Sequence, residues 1–282
     1  MTASEGRVSL GSLFGLSGRT AIIAGGAGLL GPKHAEAIAA AGGIPVVIDV
    51  RPDAAERVAQ DIRERFGVDA WSMGADVTRP DDIERVTAEV LNRHGRIDIL
   101  VNNAANNPKV ESDTASSFSR LEQFSIEQWN ADLAVGLTGT FLCSQIVGRA
   151  MARQRSGTIV NISSEYGLIA PDQRLYRKDG VREEDQRVKP ISYSVVKSGV
   201  LGMTRYLATY WAGVGVRVNA ITVGGIENGQ DSAFLAMAAD RIPLARMARV
   251  DEYQGAILFL CSDASSFMTG SNLVIDGGKT CW

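Results

Sequence analysis

The 282-residue sequence predicts one doubly wound α/β domain on a seven-stranded parallel sheet, and three observations predict it. Short apolar runs of buried-strand type alternate with helix-length stretches along the whole chain, the pattern of a sheet covered on both faces. A glycine-rich turn, Gly25-Gly-Ala-Gly-Leu-Leu-Gly31, follows the first such run directly and opens an alanine-rich amphipathic stretch. Asp76-Val77, Asn102-Asn-Ala-Ala105, Ser163-Ser164 and Val223-Gly-Gly225 each follow a later run, at the carboxyl edge where such sheets bind ligands.

Taken in order, strands are expected at 20–24, 44–48, 70–74, 97–102, 157–163, 216–221 and 272–276. Helices are expected from the glycine turn to residue 41 and at 53–66, 80–94, 125–153, 191–212 and 251–260. Pro32 suits the first turn of the first helix, where its missing N–H is not needed. With no internal repeat and no linker rich in Pro, Gly or Ser, residues 1–282 form a single domain.

Gly26, Gly28 and Gly31 match G-x-G-x-x-G between a strand and a helix, the arrangement that brings backbone close to a pyrophosphate at a helix N-terminus. Gly25, Gly26, Gly28, Leu30 and Gly31 are therefore candidates for dinucleotide binding. The second strand ends in Asp49, at the distance where a carboxylate meets the adenosine ribose hydroxyls. A carboxylate there repels a 2′-phosphate, so the expected cofactor is NAD, although Arg51 stands close enough to accommodate a phosphate in part.

Tyr193-Ser-Val-Val-Lys197 places a phenol and an ammonium on one helical face. A phenol titrates near 10, and bringing it to neutrality takes about 4 kcal/mol, at roughly 1.4 kcal/mol per unit. A cation in a desolvated site, with a positive nicotinamide ring nearby, can supply that. Lys197 is accordingly expected to favour the Tyr193 phenolate, and the serine pair at Ser163-Ser164 supplies a hydroxyl from a neighbouring strand end.

Composition sets limits. The residues are 45% hydrophobic and 22% charged with a formal net charge of −3, and no Lys/Arg stripe with interleaved aromatics suggests nucleic acid. No stretch reads as a membrane span or signal peptide, and residues 1–16 read as a polar tail docking through Leu10, Leu13 and Phe14. Cys143, Cys261 and Cys281 are scattered, as expected of thiols in a reducing, cytoplasmic compartment. His34 and His94 lie far apart in helices, and no cluster suggests a metal.

These motifs together resemble the short-chain dehydrogenase/reductase family, from the glycine turn to Asp276-Gly277-Gly278. The resemblance implies that Asp76, with Val77, meets the adenine ring and that Asn102 to Ala105, with Asn103, Ala104 and Ala105 beside the cofactor, stabilise the sheet there. It further implies that Tyr193 is the acid/base, that Lys197 binds the nicotinamide ribose and that Ser164 hydrogen-bonds the reacting oxygen. Gly224 and Ile226, after the sixth strand, join the cofactor-binding set. Within the family, Glu165-Tyr-Gly-Leu-Ile-Ala-Pro-Asp172 and Gly136-Leu-Thr-Gly139 are similar to sugar-modification oxidoreductases associated with flagellin glycosylation and nonulosonic acids.

Three departures stand out. Gly136 occupies the place of an asparagine that in most members anchors a relay water; either a main-chain carbonyl or a neighbour such as Asn130 then holds it, or the relay is rerouted, Asn130 and Asp132 otherwise reading as solvated helix residues. Val223 replaces the proline usual before the glycine pair. Residues 171–190 are a charged insertion between Ser164 and Tyr193, a substrate-lid candidate expected to be weakly ordered without ligand. Asp172, Arg174, Tyr176 and Arg177, with Glu165, Tyr166, Asn106 and Asn107, are then candidate contacts to a hydroxylated or anionic substrate.

The expected activity is NAD-dependent interconversion of a secondary alcohol and a ketone on a polar, sugar-like small molecule. The alternatives are a reductase of an activated acyl or cyclic ketone and a non-catalytic dinucleotide sensor, the latter suggested by Gly136. Phe141, Leu142, Ile146, Tyr206, Leu207, Tyr210 and Trp211 on two long helices point to a homo-oligomer, a tetramer or dimer.

Overall fold

The computed structural model describes residues 10–106 and 119–282; Asn107 and residues 1–9 of the N-terminal tail lie outside that range. All seven strands pair in parallel: β1 (Thr20–Ala24), β2 (Ile44–Asp49), β3 (Trp71–Gly74), β4 (Ile99–Asn102), β5 (Gly157–Ser164), β6 (Val216–Val223) and β7 (Asn272–Ile275). Their order across the sheet is β3-β2-β1-β4-β5-β6-β7, so strands are added outward in opposite directions from β1 and from β4, and a crevice opens between those two.

Successive residues feed opposite faces, as the twofold period of a strand requires. Ile22 and Val46 pack with Leu100, Met151 and Trp211 on one face. Ile23 and Val47 pack with Ile38, Val160 and Leu260 on the other. The helices that cover the sheet follow a one-turn helix α1 (Leu10–Leu13): α2 (Gly31–Ala40), α3 (Pro52–Phe66), α4 (Pro80–His94), α5 (Ile126–Leu133), α6 (Gly139–Gln154), α7 (Ile191–Trp211), α8 (Ser232–Ala239) and α9 (Gln254–Cys261). Gly67 and Gly95, at φ 67° and 73°, end α3 and α4 in the left-handed cap a Cβ would oppose.

Several expectations are corrected. The tail docks through Leu16, which is fully buried, while Leu10 and Phe14 are exposed. The helix expected over 125–153 is interrupted: α5 passes into a π-helical turn at Ala134–Thr138 before α6 begins. The run Ile126–Gln154 is long and apolar enough to cross a membrane by length and composition. Half of its most apolar window is buried inside the fold, where it packs on α4, β4 and β5 as a core helix does. Helix α8 was not expected from the sequence. With Val223 in place of proline, β6 runs two residues past its expected end and pairs with Ser164 and Ile275; a proline offers no N–H to such a ladder.

The segment 171–190 is organised. Gln173 closes its neck, Oε1 accepting from the Lys189 N–H at 2.7 Å. Gln186 crosses its interior, accepting from Lys178 N–H at 2.9 Å and donating to the Lys178 and Val181 carbonyls at 2.9 and 2.8 Å. Leu175 packs into a small apolar cluster with Ala238, Ile242 and Met247 beside α8.

Candidate active site

The glycine turn is pressed against the loop after β4. Gly25 has φ 68°, and a Cβ on it would stand 2.6 Å from the Ala104 Cα. Asn103 Nδ2 donates to the Gly25 carbonyl at 2.8 Å and pins the two segments together. Gly26 and Gly31 pack on each other, a Cβ on Gly31 falling 2.5 Å from the Gly26 Cα, so they fasten the turn to α2. Gly25, Gly28 and Leu30 line the cleft. No side chain caps α2 at Leu30, which leaves first-turn amides available to an anion.

At the crevice's other wall, Asp49 Oδ2 accepts from Ala27 N–H at 3.1 Å. Its Oδ1 accepts from the Arg51 N–H at 3.1 Å and Nε at 3.2 Å, and Arg51 Nη2 donates to the Ala27 carbonyl at 2.9 Å. Arg51 is thus folded onto the carboxylate while remaining largely exposed. Asp76 Oδ1 accepts from Thr78 N–H and Oγ1 at 2.9 and 2.8 Å, which shapes the loop that presents Asp76 and Val77 to the cleft. Ala105, Gly224 and Ile226 line it as well. Asn102 points instead into the sheet, donating to Asn161 Oδ1 at 2.8 Å and Ser144 Oγ at 3.0 Å.

The end of β5 and the start of α7 bring Ser164, Tyr193 and Lys197 together. Ser163 Oγ donates to the Lys197 carbonyl at 2.9 Å, and Lys197 Nζ donates to the Ile162 carbonyl at 2.8 Å. Burial pushes the Tyr193 phenol up to about 12, Glu165 and Tyr166 adding to the rise and a hydrogen bond with Ser164 opposing it. Burial, then repulsion from Lys189, brings Lys197 down to about 8. The ammonium closest over the Tyr193 ring is that of Lys189, 4.2 Å from the centroid against 5.8 Å for Lys197.

Beyond Ser164 the cleft carries a polar cluster beside the apolar Leu175, Phe234, Ala238, Ile242 and Met247. Glu165 is 3% exposed, and its Oε1 accepts from Lys279 Nζ at 2.5 Å. Burial pushes the Glu165 carboxyl up against the pull of Lys279, while Glu165 outweighs burial at Lys279 and holds that ammonium above its ordinary range; at 2.5 Å the two share one strong hydrogen bond. Lys279 Nζ also reaches Tyr166 Oη at 3.5 Å, and Tyr166 Oη lies 3.3 Å from Tyr176 Oη. These four side chains and Tyr193 line one cleft of ≈ 1200 Å³, together with Asn106.

Other sequence-chosen contacts lie elsewhere. Asp172 is held by Arg174 at 2.8 and 2.9 Å and by Arg241 Nε at 2.6 Å, while Arg177 pairs with Glu183 at 2.9 Å. None of Asp172, Arg174 and Arg177 is among the cleft-lining residues; the segment presents Leu175 and Tyr176. Asp172, tied first by Arg174 against burial and then by Arg241, sits far below the usual carboxylate range. Asp172 thus latches the segment to Arg241, just past α8, while Arg174 and Arg177 pair within the segment.

Gly136 is filled by its neighbour, since a Cβ there would stand 2.5 Å from Val196 Cγ1. Its carbonyl accepts from Thr140 Oγ1 at 2.8 Å. Asn130 is exposed, as expected, but Asp132 is buried and bonds Ser192 Oγ at 2.5 Å and Gln128 Nε2 at 2.8 Å. Asp132 thereby ties α5 to the residue before Tyr193. Lys279, Lys189 and α8 escaped sequence reasoning because their place in the cleft follows from tertiary packing; only the nearness of Lys279 to Asp276-Gly-Gly hinted at it.

Comparison with known proteins identifies the family. The short chain dehydrogenase family matches residues 19–176, and the enoyl-(acyl carrier protein) reductase family matches 182–280. D-threitol dehydrogenase of Mycolicibacterium smegmatis is 33% identical over 273 residues, 95% of either chain. A 3-oxoacyl-[acyl-carrier-protein] reductase of Aquifex aeolicus is 32% identical over 267 residues, 93% of this chain and 98% of that one. The crystal structure of a gluconate 5-dehydrogenase from Burkholderia cenocepacia, in complex with NADP and tartrate, has a TM-score of 0.84 at 30% identity, covering 97% of this chain and 100% of that one. With its parallel sheet, glycine turn and Ser164–Tyr193–Lys197 cluster, the chain belongs to the short-chain dehydrogenase/reductase family of oxidoreductases acting on alcohol and ketone groups.

Proposed function

We propose that the protein is an NAD-dependent dehydrogenase that interconverts a secondary alcohol and a ketone on a hydroxylated small molecule, a sugar or polyol. The observation that carries this reading is the cleft itself, with Asp49 at one end, Tyr193 and Lys197 at its centre and Glu165, Tyr166, Tyr176 and Lys279 beyond them. The far end has a mixed wall, polar at Glu165, Tyr166, Tyr176 and Lys279 and apolar at Leu175, Phe234, Ala238, Ile242 and Met247, and the polar group nearest Ser164 is what favours a hydroxylated substrate. The narrower likeness to flagellin and nonulosonate sugar-modification enzymes rests on the Glu165–Asp172 phrase and stays within this reading.

The chain fits a dinucleotide. Gly25 and Gly28 leave room for close backbone approach, the uncapped start of α2 suits the pyrophosphate, and Asp49 with Asp76 and Val77 lies where the adenosine goes. When bound, the nicotinamide supplies the hydride acceptor and a positive charge beside Tyr193. In the oxidative direction Ser164 holds the substrate oxygen and Tyr193 takes its proton. Burial raises the Tyr193 phenol, and Lys197 and Lys189 beside the ring, with the positive charge of the bound nicotinamide, would favour the phenolate. The enzyme works in the cytoplasm as a homo-oligomer, and residues 171–190 with α8 cover the substrate end.

Initial rates on a panel of tetritols, pentitols, hexitols and aldonates with NAD and with NADP test the reading, alongside cofactor titration. NAD is expected to bind at least about tenfold tighter than NADP, or roughly 1.4 kcal/mol, and at least one polyol should turn over. Comparable affinities overturn the cofactor assignment. Turnover confined to acyl thioesters overturns the substrate class.

A further inference from the structure

Glu165 and Lys279 form a buried charge pair that the proton and hydride steps do not use. Glu165 is 3% exposed and Lys279 9%. A pair so placed costs desolvation on both sides, and apolar residues of similar volume in its place are often neutral or stabilising, so stability alone does not account for it. It also remains incomplete. Glu165 Oε2 is buried without a well-formed hydrogen bond, although the Gly225 N–H lies close enough to the carboxyl to favour its charged form, whereas native buried polar atoms nearly always have a full partner. Of the three ammonium protons on Lys279, one goes to Glu165 Oε1 at 2.5 Å and one to Tyr166 Oη at 3.5 Å.

The unfinished pair belongs to the substrate end of the cleft. Glu165 directly follows Ser164 in the chain, and Glu165, Tyr166, Tyr193 and Lys279 all line the same cavity. Tyr166 joins the two parts: its ring meets the Tyr193 ring edge-on at 6.4 Å, and Lys279 Nζ lies 4.8 Å from its centroid. One acceptor and one donor are on offer, side by side, with no net charge. An anionic group finds Lys279 already neutralised by Glu165, and a cationic group finds Glu165 neutralised by Lys279. A hydroxyl both donates and accepts, and matches the pair.

We propose that Glu165 and Lys279 together bind a hydroxyl on the carbon next to the one being oxidised, which makes the substrate a 1,2-diol and the product an α-hydroxyketone. The hydroxyl donates to Glu165 Oε2 and accepts from the third N–H of Lys279. This rests on the dehydrogenase reading above and narrows its substrate. It predicts selectivity against isolated alcohols, because a substrate lacking the second hydroxyl leaves Glu165 Oε2 and one Lys279 N–H unmatched.

The test compares kcat/KM with NAD for cyclohexane-1,2-diol and cyclohexanol, and for butane-2,3-diol and butan-2-ol. The wild type is expected to favour the diol of each pair by at least about 100-fold, on the order of 3 kcal/mol. Glu165→Gln and the double variant Glu165→Leu/Lys279→Met should lower that ratio at least tenfold; the double variant leaves no lone buried charge, so it keeps the question open to measurement if Glu165→Gln folds poorly. NAD affinity and Tm identify the folded preparations. General damage to the active site lowers both members of a pair and leaves the ratio alone, so an unchanged ratio in the folded double variant overturns the assignment while the dehydrogenase reading stands. A wild type that prefers the isolated alcohol overturns it too. If the wild type oxidises none of the four and no member of the polyol panel, the dehydrogenase reading falls and the diol assignment with it.

Discussion

The exchange of a family asparagine for Gly136 is a packing event before it is a chemical one. Val196 Cγ1 stands 2.5 Å from where the Gly136 Cβ would be, so an asparagine cannot enter without displacing the turn that carries Lys197. Gly136→Asn should therefore lose about 1–3 kcal/mol of stability as an overpacked core does, and Gly136→Asn/Val196→Ala should recover most of it. Urea unfolding decides the matter; an undiminished midpoint in the single variant refutes the coupling. Lys197 gives a second prediction, with its sign fixed by burial. Its folded value near 8 lies below the ordinary lysine value, so between about pH 8 and 10 the unfolded chain binds the extra proton and stability rises with pH. Wild-type stability should gain on Lys197→Met across that window by on the order of 1 kcal/mol per pH unit, and parallel unfolding curves would argue against it. At this scale Tyr193, Lys197 and the glycine turn were legible because local spacing alone presents them. Lys189, Lys279 and Asp132 were not, since each gains its partner from a distant part of the chain.

Elements were legible where period and capping agree. The alternation of strand residues between two apolar faces and the glycine caps after α3 and α4 leave little choice of structure. The π-turn at Ala134–Thr138 leaves no such signal, because an extra residue in a helix shifts the face without changing composition. The charged segment 171–190 misleads in the other direction: its charges pair with each other and with Arg241, while one leucine docks it. Leu175 is 3% exposed against Ala238, Ile242 and Met247. Replacing residues 174–188 with a short Gly-Ser linker should therefore lower Tm as well as kcat/KM, and Leu175→Ala alone should cost about 2–3 kcal/mol. An unaltered Tm in both would mean the segment contributes no packing. NAD affinity should survive either change, since the segment adjoins the substrate end of the cleft and not Asp49.

Over the whole molecule, the seven-stranded parallel sheet and its ligand-binding carboxyl edge followed from the alternation of strands and helices. The assembly did not, because the same apolar residues serve core and surface. Ile146, Leu207 and Trp211 are buried within the chain, whereas Phe141, Tyr206 and Tyr210 are exposed, the two tyrosines stacked at 6.0 Å on α7. That exposed aromatic face should be covered by a second copy, and light scattering at micromolar concentration should report a multiple of 30.1 kDa. A particle of the single-chain mass would remove the homo-oligomer.

The central claim is that Tyr193 moves the proton in a dehydrogenase whose cofactor site is built separately, at the glycine turn and Asp49. The most direct measurement is kcat for NAD-dependent oxidation of the best polyol by the wild type and by Tyr193→Phe, with NADH affinity titrated on both. The variant keeps the ring and loses the hydroxyl, so kcat should fall by roughly 10²–10⁴-fold while the NADH Kd stays within a factor of about three, under 1 kcal/mol. Turnover by Tyr193→Phe within tenfold of the wild type would contradict the account.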